Sequence, residues 1–567
     1  MLSVLASWIV ILGISLILGY GVIHYCYRSC RNVLGQWDVY IVCGLMLTNV
    51  YAESFSLFYK VGAKACLILT VIGILLAIIY HISTRGDCWN EIRKLKEISI
   101  YQWIAVFFTS LATLAWTVGY PQHYDTSLYH FQAIKWIEEY GVVPGLGNLH
   151  NRFAYNSAFM PLQALFSFEW LIGQSLHSVN GFLCCFFLVY ALVTNRIWKR
   201  EKLKISDLLK IATFIYISYN RTTISSPSSD TLTMLLVLYI CTKWSEFAEK
   251  DIEDVLPYGF LCVLCVYAIS VKLSAVACIV LVIWPAVQMI KHRRWKAIIG
   301  NLLLGVIIVT PWLARNVIIS GYLLYPYPQI DLFNVDWKMP ASVLTYDSRE
   351  IVVWGRRVFD VAAYEKPIWK WFPTWFLNSS PGIIVVGAVG VIGWIMLFTI
   401  RLIREKKFDI KKDILGIYGI IAVISWLFSA PLIRYGMVYL MIPGCMVLGY
   451  IIEKTTVKWE KLINIILLIY LIPTVSIYVA KIDDIKDSPT YFQEDYEWKL
   501  TVNSEIHSGV RIWFPAEGDQ SSADVFPCVP YRAMVEKLEL RGESLETGFR
   551  MKDEYQGLHI NEYGYEW

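Results

Sequence analysis

The residues of this chain with chemical potential are few, and they sit in short polar breaks between long apolar runs. Asp125 stands in "YPQHYDTSLYHFQAIKWIEE" (residues 120–139), with His123 and His130 on either side. A carboxylate in that position caps a helix or sits as a solvated loop acid, or else it acts as a general base that takes or orients the proton of an attacking hydroxyl. The two histidines and the acid show no further ligand for a metal in the sequence around them. Asp230 in "SSPSSDTLTMLLVLY" opens an apolar run, where a cap favoured by the helix dipole is the plain alternative to a functional acid. Lys272 in "AISVKLSA" is nearly alone among apolar residues. It either snorkels to an interface or binds phosphate, and the cost of a lone charge at that depth favours the second. Arg315 and Asn316 lie in "TPWLARNVIISGYLLYP", and Arg434 and Tyr435 in "SAPLIRYGMVYLMIP". They read as interfacial anchors or as clamps on an anionic head group, a task that suits the planar guanidinium. Acids and bases gathered on one face are what a site for a lipid-linked phosphate needs. The cations hold the phosphate that leaves, and the acid activates the group that attacks.

The elements that must position these residues are membrane helices. The chain has 567 residues, 56% hydrophobic and only 17% charged, with mean hydropathy +0.49; a soluble protein carries about 25% charged residues. The surplus is concentrated in apolar runs of about the 20 residues a bilayer-spanning helix needs. Candidate spans are 2–25, 38–58, 63–83, 103–119, 178–197, 206–220, 229–245, 256–271, 273–290, 297–317, 382–402, 413–430, 437–452 and 462–481. The first has no basic segment before it and reads as a span, not a cleaved signal. Aromatics reach 15%, fitting residues massed at membrane interfaces. With these spans, the basic loops after residues 83, 197, 290 and 402 and before 462 share one face, the cytoplasmic one by the positive-inside rule. Asp125, Asp230, Lys272, Arg434, the long loops 120–174 and 321–381 and the polar tail then face outward. Inside the spans charge is expected to be nearly absent, Glu53 being the main exception.

Three regions follow: residues 1–97 with three N-terminal spans, a core at 98–481, and an extracytoplasmic C-terminal domain at 482–567. The expected fold class is an all-α polytopic membrane protein of about fourteen spans with a small α+β C-terminal domain. In the first outer loop Leu128, Phe131, Ile134 and Ile137 repeat at helical spacing, predicting an amphipathic helix along the membrane surface. "YNSAFMPLQALFSFEWLIG" predicts a second in-plane or re-entrant helix. In the tail, "GVRIWFP" reads as a strand. The 13 cysteines lie mostly inside apolar runs and read as small buried hydrophobes. No phosphate-loop or dinucleotide-binding glycine pattern occurs, and the cytoplasmic loops are short.

The order of these stretches resembles the GT-C superfamily of integral membrane glycosyltransferases, which use polyprenyl-phosphate sugars. "YPQHYDTSLYHFQAIKWIEEYG" followed by "YNSAFMPLQALF" is similar to that family's first outer loop, with an acid just after a span and two helices along the membrane. "PSSDTLTMLLVLY", "SVKLSA", "PWLARNVIISGYLLYP" and "IRYGMVYLMIP" resemble later family segments, so the likeness covers roughly residues 100–480. It extends to a group of bacterial membrane proteins with a "YDTSLYH" loop and an "FPCVPY" tail. The departure is that Asp125 is followed by Thr126, where many members have adjacent acids; the second acid is either missing or supplied elsewhere, as by Glu169 or Asp230. The resemblance implies an inverting sugar transfer, with Asp125 catalytic. Lys272, Arg315 and Arg434 would hold the donor phosphate, with Asn316, Tyr435, His130 and Asp230 in supporting roles. It implies a polyprenyl-phosphate-linked sugar and a glycan, lipid or protein acceptor as partners, among membrane lipids and without nucleic acid. No cofactor is required, with a divalent cation as the open alternative. The expected place is a bacterial inner or plasma membrane. A polymerase or ligase of lipid-linked oligosaccharides, a lipid or glycan transporter, and a structural subunit are the competing readings.

Overall fold

A computed structural model describes residues 1–83, 98–199, 202–406, 408–455, 501–507, 509–521 and 523–557. It is mainly helical. The N-terminal helices are α1 (Leu2–Tyr25), α2 (Trp37–Ser56), α3 (Ala63–Ser83) and α4 (Ile100–Val118). The first outer loop holds α5 (Phe131–Tyr140) and α6 (Phe159–Leu165). Then come α7 (Val179–Thr194), α8 (Ile205–Tyr219), α9 (Ser229–Glu249), α10 (Leu256–Val271), α11 (Ile279–Lys291) and α12 (Trp295–Ser320). The second outer loop holds α13 (Ala341–Gly355) and α14 (Ile368–Asn378). α15 (Pro381–Ile400), α16 (Ile410–Phe428) and α17 (Ile433–Lys454) complete the helices. The tail contributes two antiparallel pairs, β1 (Val502–His507) with β2 (Val510–Pro515) and β3 (Leu538–Leu540) with β4 (Phe549–Met551).

Among the described residues, seven helical stretches are long and apolar enough to cross a membrane: α1, α3, α4, Leu273–Lys291, α12, Pro381–Arg404 and α17. The short helix Arg28–Leu34 and α2, bent by 117°, would make an eighth if they form one span. This marks an α-helical membrane protein. The apolar runs read from the sequence coincide with helices, except 462–481, which lies outside the described residues. Several of those helices are short or polar for a span: α7 and α10 have 16 residues, α8 has 15, and α9 carries Asp230, Lys243, Glu246 and Glu249.

Local signals set the ends. Ser99 and Gln102 form a capping box at the start of α4, and the Asp409 side chain accepts from the backbone N–H of Lys411 at the start of α16. α1 and α2 pack closely because Gly19 faces the Tyr40 carbonyl and Gly44 faces the Ser15 carbonyl; a Cβ at Gly44 would lie 1.8 Å from that oxygen. An apolar cavity of about 650 Å³ opens among α1, α2, α3, α4 and α7.

The helix interiors are not as free of charge as the sequence suggests. Lys243 Nζ lies 3.0 Å from both Asp38 and Glu246, and Lys210 Nζ lies 2.9 Å from Glu246. Tyr239 donates to Asp38 at 2.9 Å and Tyr190 to Glu246 at 3.2 Å. All these side chains are buried. The network joins α7, α8, α9 and the start of α2. It escapes a sequence reading because the key partner, Asp38, is about two hundred positions away from Lys243.

Outside the helical core lies a second hydrophobic core. Trp136, Leu149 and Phe153 from the first outer loop meet Tyr322, Val343 and Leu344 from the second, and Ile512, Phe514 and Phe549 from the tail. Phe549 N–H donates to the Pro144 carbonyl at 2.9 Å, and Arg541 grips Asp336 at 2.7 and 3.0 Å. The α5–α6 region is therefore packed inside protein; Phe159, Leu162 and Leu165 are fully buried, not laid on lipid as in-plane helices would be.

Replacing Gly44 with Val is expected to force α1 from α2 and cost at least about 1–3 kcal/mol, the usual range for overpacking. Thermal unfolding with size-exclusion elution of the full chain in detergent measures this; an unchanged melt would mean that the helices have room.

Candidate functional site

The segment after α4 turns through residues 120–125 into one π-helical turn, Thr126–His130, before α5. Such turns, with their wider backbone, recur at functional sites. Asp125 precedes it and makes no side-chain cap. Its carboxylate accepts from Arg434 Nη2 at 2.8 Å. Arg434 Nε stands 3.2 Å from Asp230 Oδ2, and Asp230 Oδ1 pairs with Lys272 Nζ. Lys272 Nζ also lies 3.6 Å from the centre of the Tyr435 ring, and Arg434 donates to the Tyr435 hydroxyl at 2.9 Å. The result is an alternating chain, Asp125–Arg434–Asp230–Lys272, built from the loop after α4, the start of α17, the start of α9 and the end of α10. Asp230 does not cap its own helix; Ser228 does, accepting from the Asp230 N–H at 3.3 Å.

The electrostatics follow from this geometry. Burial pushes the Asp125 carboxyl up, but Arg434, then His123, His130 and Arg152, pull it further the other way, so it is held well below the usual carboxylate range. His123 Nδ1 accepts from the Asp125 backbone N–H at 3.2 Å and lies 3.9 Å from its carboxylate. The His123 and His130 rings stack 5.9 Å apart. Burial lowers both imidazoles, His130 to about 3. Among the described residues no group of three His, Cys, Asp or Glu side chains is arranged to hold a metal ion.

The structure thus brings together Asp125, Asp230, Lys272, Arg434, Tyr435 and His130. Arg315 and Asn316 stand elsewhere. Arg315 is 3% exposed; its Nε donates to Asn156 Oδ1 at 3.0 Å and its Nη1 to Ser56 Oγ at 2.5 Å. Asn156 sits in the left-handed region at φ 38° and donates to Asn316 Oδ1 at 2.7 Å. These contacts pin the first outer loop to α2 and α12. Glu169, the other candidate for a second acid, is bound to Lys135 at 2.7 Å.

Three features carry no sequence signal. The first is Arg152, a half-buried residue whose charge faces Asp125, Asp347 and Glu350. The second is the Asp347–Glu350 pair of α13. Asp347 is fully buried; its Oδ1 accepts from Asn151 at 2.8 Å and from the Tyr155 hydroxyl at 3.2 Å. Burial first, and the Glu350 charge second, push its carboxyl up to about 7. The third is the tail, which clamps the π-turn. Tyr124 donates to both Asp519 oxygens at 2.6 and 2.5 Å, and Ser127 bonds Gln520. Gln132 donates to the Val525 carbonyl at 2.9 Å and accepts from the Cys528 N–H at 3.0 Å.

A polytopic helical protein with an ion chain joining the ends of its helices is the class that this geometry defines. The chain matches the family described as Domain of unknown function (DUF8201) over residues 1–441, and it belongs to that family. No curated protein and no solved structure matches it.

Two outcomes are expected here. Arg315→Met should destabilise by roughly 1–3 kcal/mol, because it leaves Asn156 Oδ1 and Ser56 Oγ buried without their donor; a melt within a degree of wild type would sink that account. Asp347 has a folded value above its unfolded value of about 3.9, so its contribution is present at acid pH and is lost as pH rises through about 7. Asp347→Asn, which keeps the Oδ1 acceptor, should therefore melt progressively higher than wild type between about pH 4 and 7, with a constant margin above that. A difference that does not grow with pH would contradict the burial argument.

Proposed function

We propose that the protein is an inverting membrane glycosyltransferase of GT-C type, which moves a sugar from a polyprenyl-phosphate donor to a surface glycan, lipid or protein. On this reading the chain crosses a bacterial plasma membrane about fourteen times, with its C-terminal domain outside. The observation that carries the reading is the Asp125–Arg434–Asp230–Lys272 chain, which gathers at one place the ends of segments that resemble GT-C motifs. An acceptor hydroxyl hydrogen-bonds to the ionised Asp125 and attacks the sugar carbon. The carbon–oxygen bond to the lipid phosphate breaks from the opposite side, the configuration inverts, and the hydroxyl proton leaves by way of Asp125. Lys272 and Arg434 turn part of their charge from Asp230 to the departing phosphate. The bonds of Arg315 and Asn316 suit them to holding the loop that presents Asp125.

A polymerase or ligase of lipid-linked oligosaccharides uses the same parts, and product length separates it from a single-sugar transferase. A transporter of an anionic lipid draws support from the charges of α8 and α9, although Lys210 and Lys243 are each paired with a carboxylate inside the structure.

Asp125→Asn in the native host, at matched expression, is expected to lower transfer by at least about a hundredfold, as loss of a general base does, and to remove or truncate one surface glycan. A glycan profile identical to wild type would end the transferase reading. An intact transferase activity in membranes, together with loss of lipid-linked sugar at the outer face, would favour transport.

A further inference from the structure

The apolar cavity of about 650 Å³ lies apart from the ion chain. Its longest wall is α1, which lines it from Leu5 to Tyr20, about 22 Å of helix at 1.5 Å per residue. Ala77 and Tyr80 of α3, Phe107 and Leu111 of α4 and Phe186 of α7 form other walls. Leu5, Ile9, Leu12, Phe107 and Leu111 are exposed, so the cavity is a groove open sideways between two membrane-spanning helices, where lipid chains are the solvent. Two polar side chains on its walls, Ser110 and Cys185, bond each other at 3.5 Å. Water finds few partners in such a space, and an empty groove forfeits dispersion contacts along its length. A hydrocarbon chain supplies them.

The two ends of the groove differ. Near its first turns α1 is tied to the start of α7: Trp8 Nε1 donates to the Ser178 carbonyl at 2.9 Å, and the Ser7 and Ser178 hydroxyls lie 2.7 Å apart. The other end is ringed by tyrosines and then by cations. Tyr20 lies 5.3 Å from Tyr80 and stacks on His24 at 5.1 Å. His24 Nδ1 is 2.9 Å from Arg31 Nη1. A Cβ on Gly35 would stand 3.2 Å from the Tyr40 hydroxyl and 3.3 Å from the Arg31 stem, so Arg31 leaves the chain beside another wall of the groove. Arg28 stands one turn before it, its carbonyl accepting from the Arg31 N–H. Both arginines are exposed, and neither makes an ion pair among the described residues. The Tyr25 and Ser83 hydroxyls, 3.1 Å apart, join this end of α1 to the end of α3. By the positive-inside rule that end is cytoplasmic. Basic pockets between helices on that side collect anionic head groups, and tyrosine suits the boundary between chain and head.

We propose that the groove is the binding site of one anionic phospholipid of the cytoplasmic leaflet, with an acyl chain lying along α1 and the phosphate held by Arg28 and Arg31. The lipid fills the seam between the N-terminal helices and α4 and α7, on the membrane face opposite the ion chain. The inference takes only its sidedness from the topology proposed above; the groove and its basic end stand without the transferase reading.

Native mass spectrometry of the full chain, released from detergent, tests this. The probes are dipalmitoyl phosphatidylglycerol, dipalmitoyl phosphatidylcholine and the chain-free head group glycerophosphoglycerol. One phosphatidylglycerol is expected to be retained, at least about tenfold more tightly than phosphatidylcholine. The double variant Arg28→Gln, Arg31→Gln is expected to lose that preference and keep its phosphatidylcholine affinity within about twofold, as loss of surface charge alone would. Ala77→Trp, which fills the groove, is expected to weaken both lipids at least about tenfold by removing the chain's contacts. Should its melt show that it does not fold, Leu111→Trp on the exposed wall replaces it with the same expectation. Equal retention of the two lipids overturns the site, as does a preference that survives the double variant or a lipid affinity that a filled groove leaves unchanged. Glycerophosphoglycerol that competes as well as intact lipid overturns it too, since the groove would then contribute nothing. So does a chain that retains no lipid, whether as a monomer or as a dimer whose second copy covers the groove. No lipid retained with sugar transfer intact would remove this site alone; lipid retained by a chain that transfers nothing would leave the site standing and remove the transferase.

Discussion

Charge pairing at the ends of the helices is the constraint on which the rest of this structure turns. A carboxylate or ammonium removed from water must find a partner, or the chain must unfold around it. Asp125, Arg434, Asp230 and Lys272 meet that demand only together. Arg434 is shared between two carboxylates, and Lys272 completes Asp230. The pairing fixes the start of α9, the end of α10, the start of α17 and the turn after α4 in one place. A site that is neutral at rest can admit an anion only by loosening one of those pairs, which couples binding at this place to local rearrangement.

The tail domain is joined to this constraint. Among the described residues its apolar strands share one core with the loops after α4 and after α12. Its loop at residues 519–528 bonds Tyr124, Ser127 and Gln132, positions that bracket Asp125. The tail is thus a structural wall of the outer site. At the other end of α9, the Lys210–Glu246–Lys243–Asp38 network performs the same service on a different set of helices. α9 carries a paired charge at each end, and about 20 Å of apolar helix lies between them.

Much of this was readable in residue order. The apolar runs mark nearly every long helix in the described chain, because span length and helix length answer to the same bilayer thickness. The polar residues that interrupt those runs, Asp125, Asp230, Lys272 and Arg434, are the ones that meet. Charged residues at the ends of apolar helices have few places to go, so their rarity makes them conspicuous. Arg315 was equally conspicuous but finds Ser56 and Asn156, because the first outer loop folds back onto α12. Arg152, Asp347 and Glu350 sit in mixed polar stretches where such residues are common, and nothing in the order of the chain separates them from solvated neighbours.

By itself the sequence determined the class of protein, the positions of its helices and the short list of charges that water could not easily keep. It did so through composition and periodicity, which depend on each segment and the solvent around it. Only the tertiary structure decided which charge pairs with which, that Arg315 bonds Ser56 and Asn156, and that the tail closes on the turn around Asp125. Those outcomes depend on contacts between residues separated by 42 to 396 positions, Lys272 with Asp230 and Gln132 with Cys528 among them. Pairing across such distances is set by how the helices pack, and no local pattern records it.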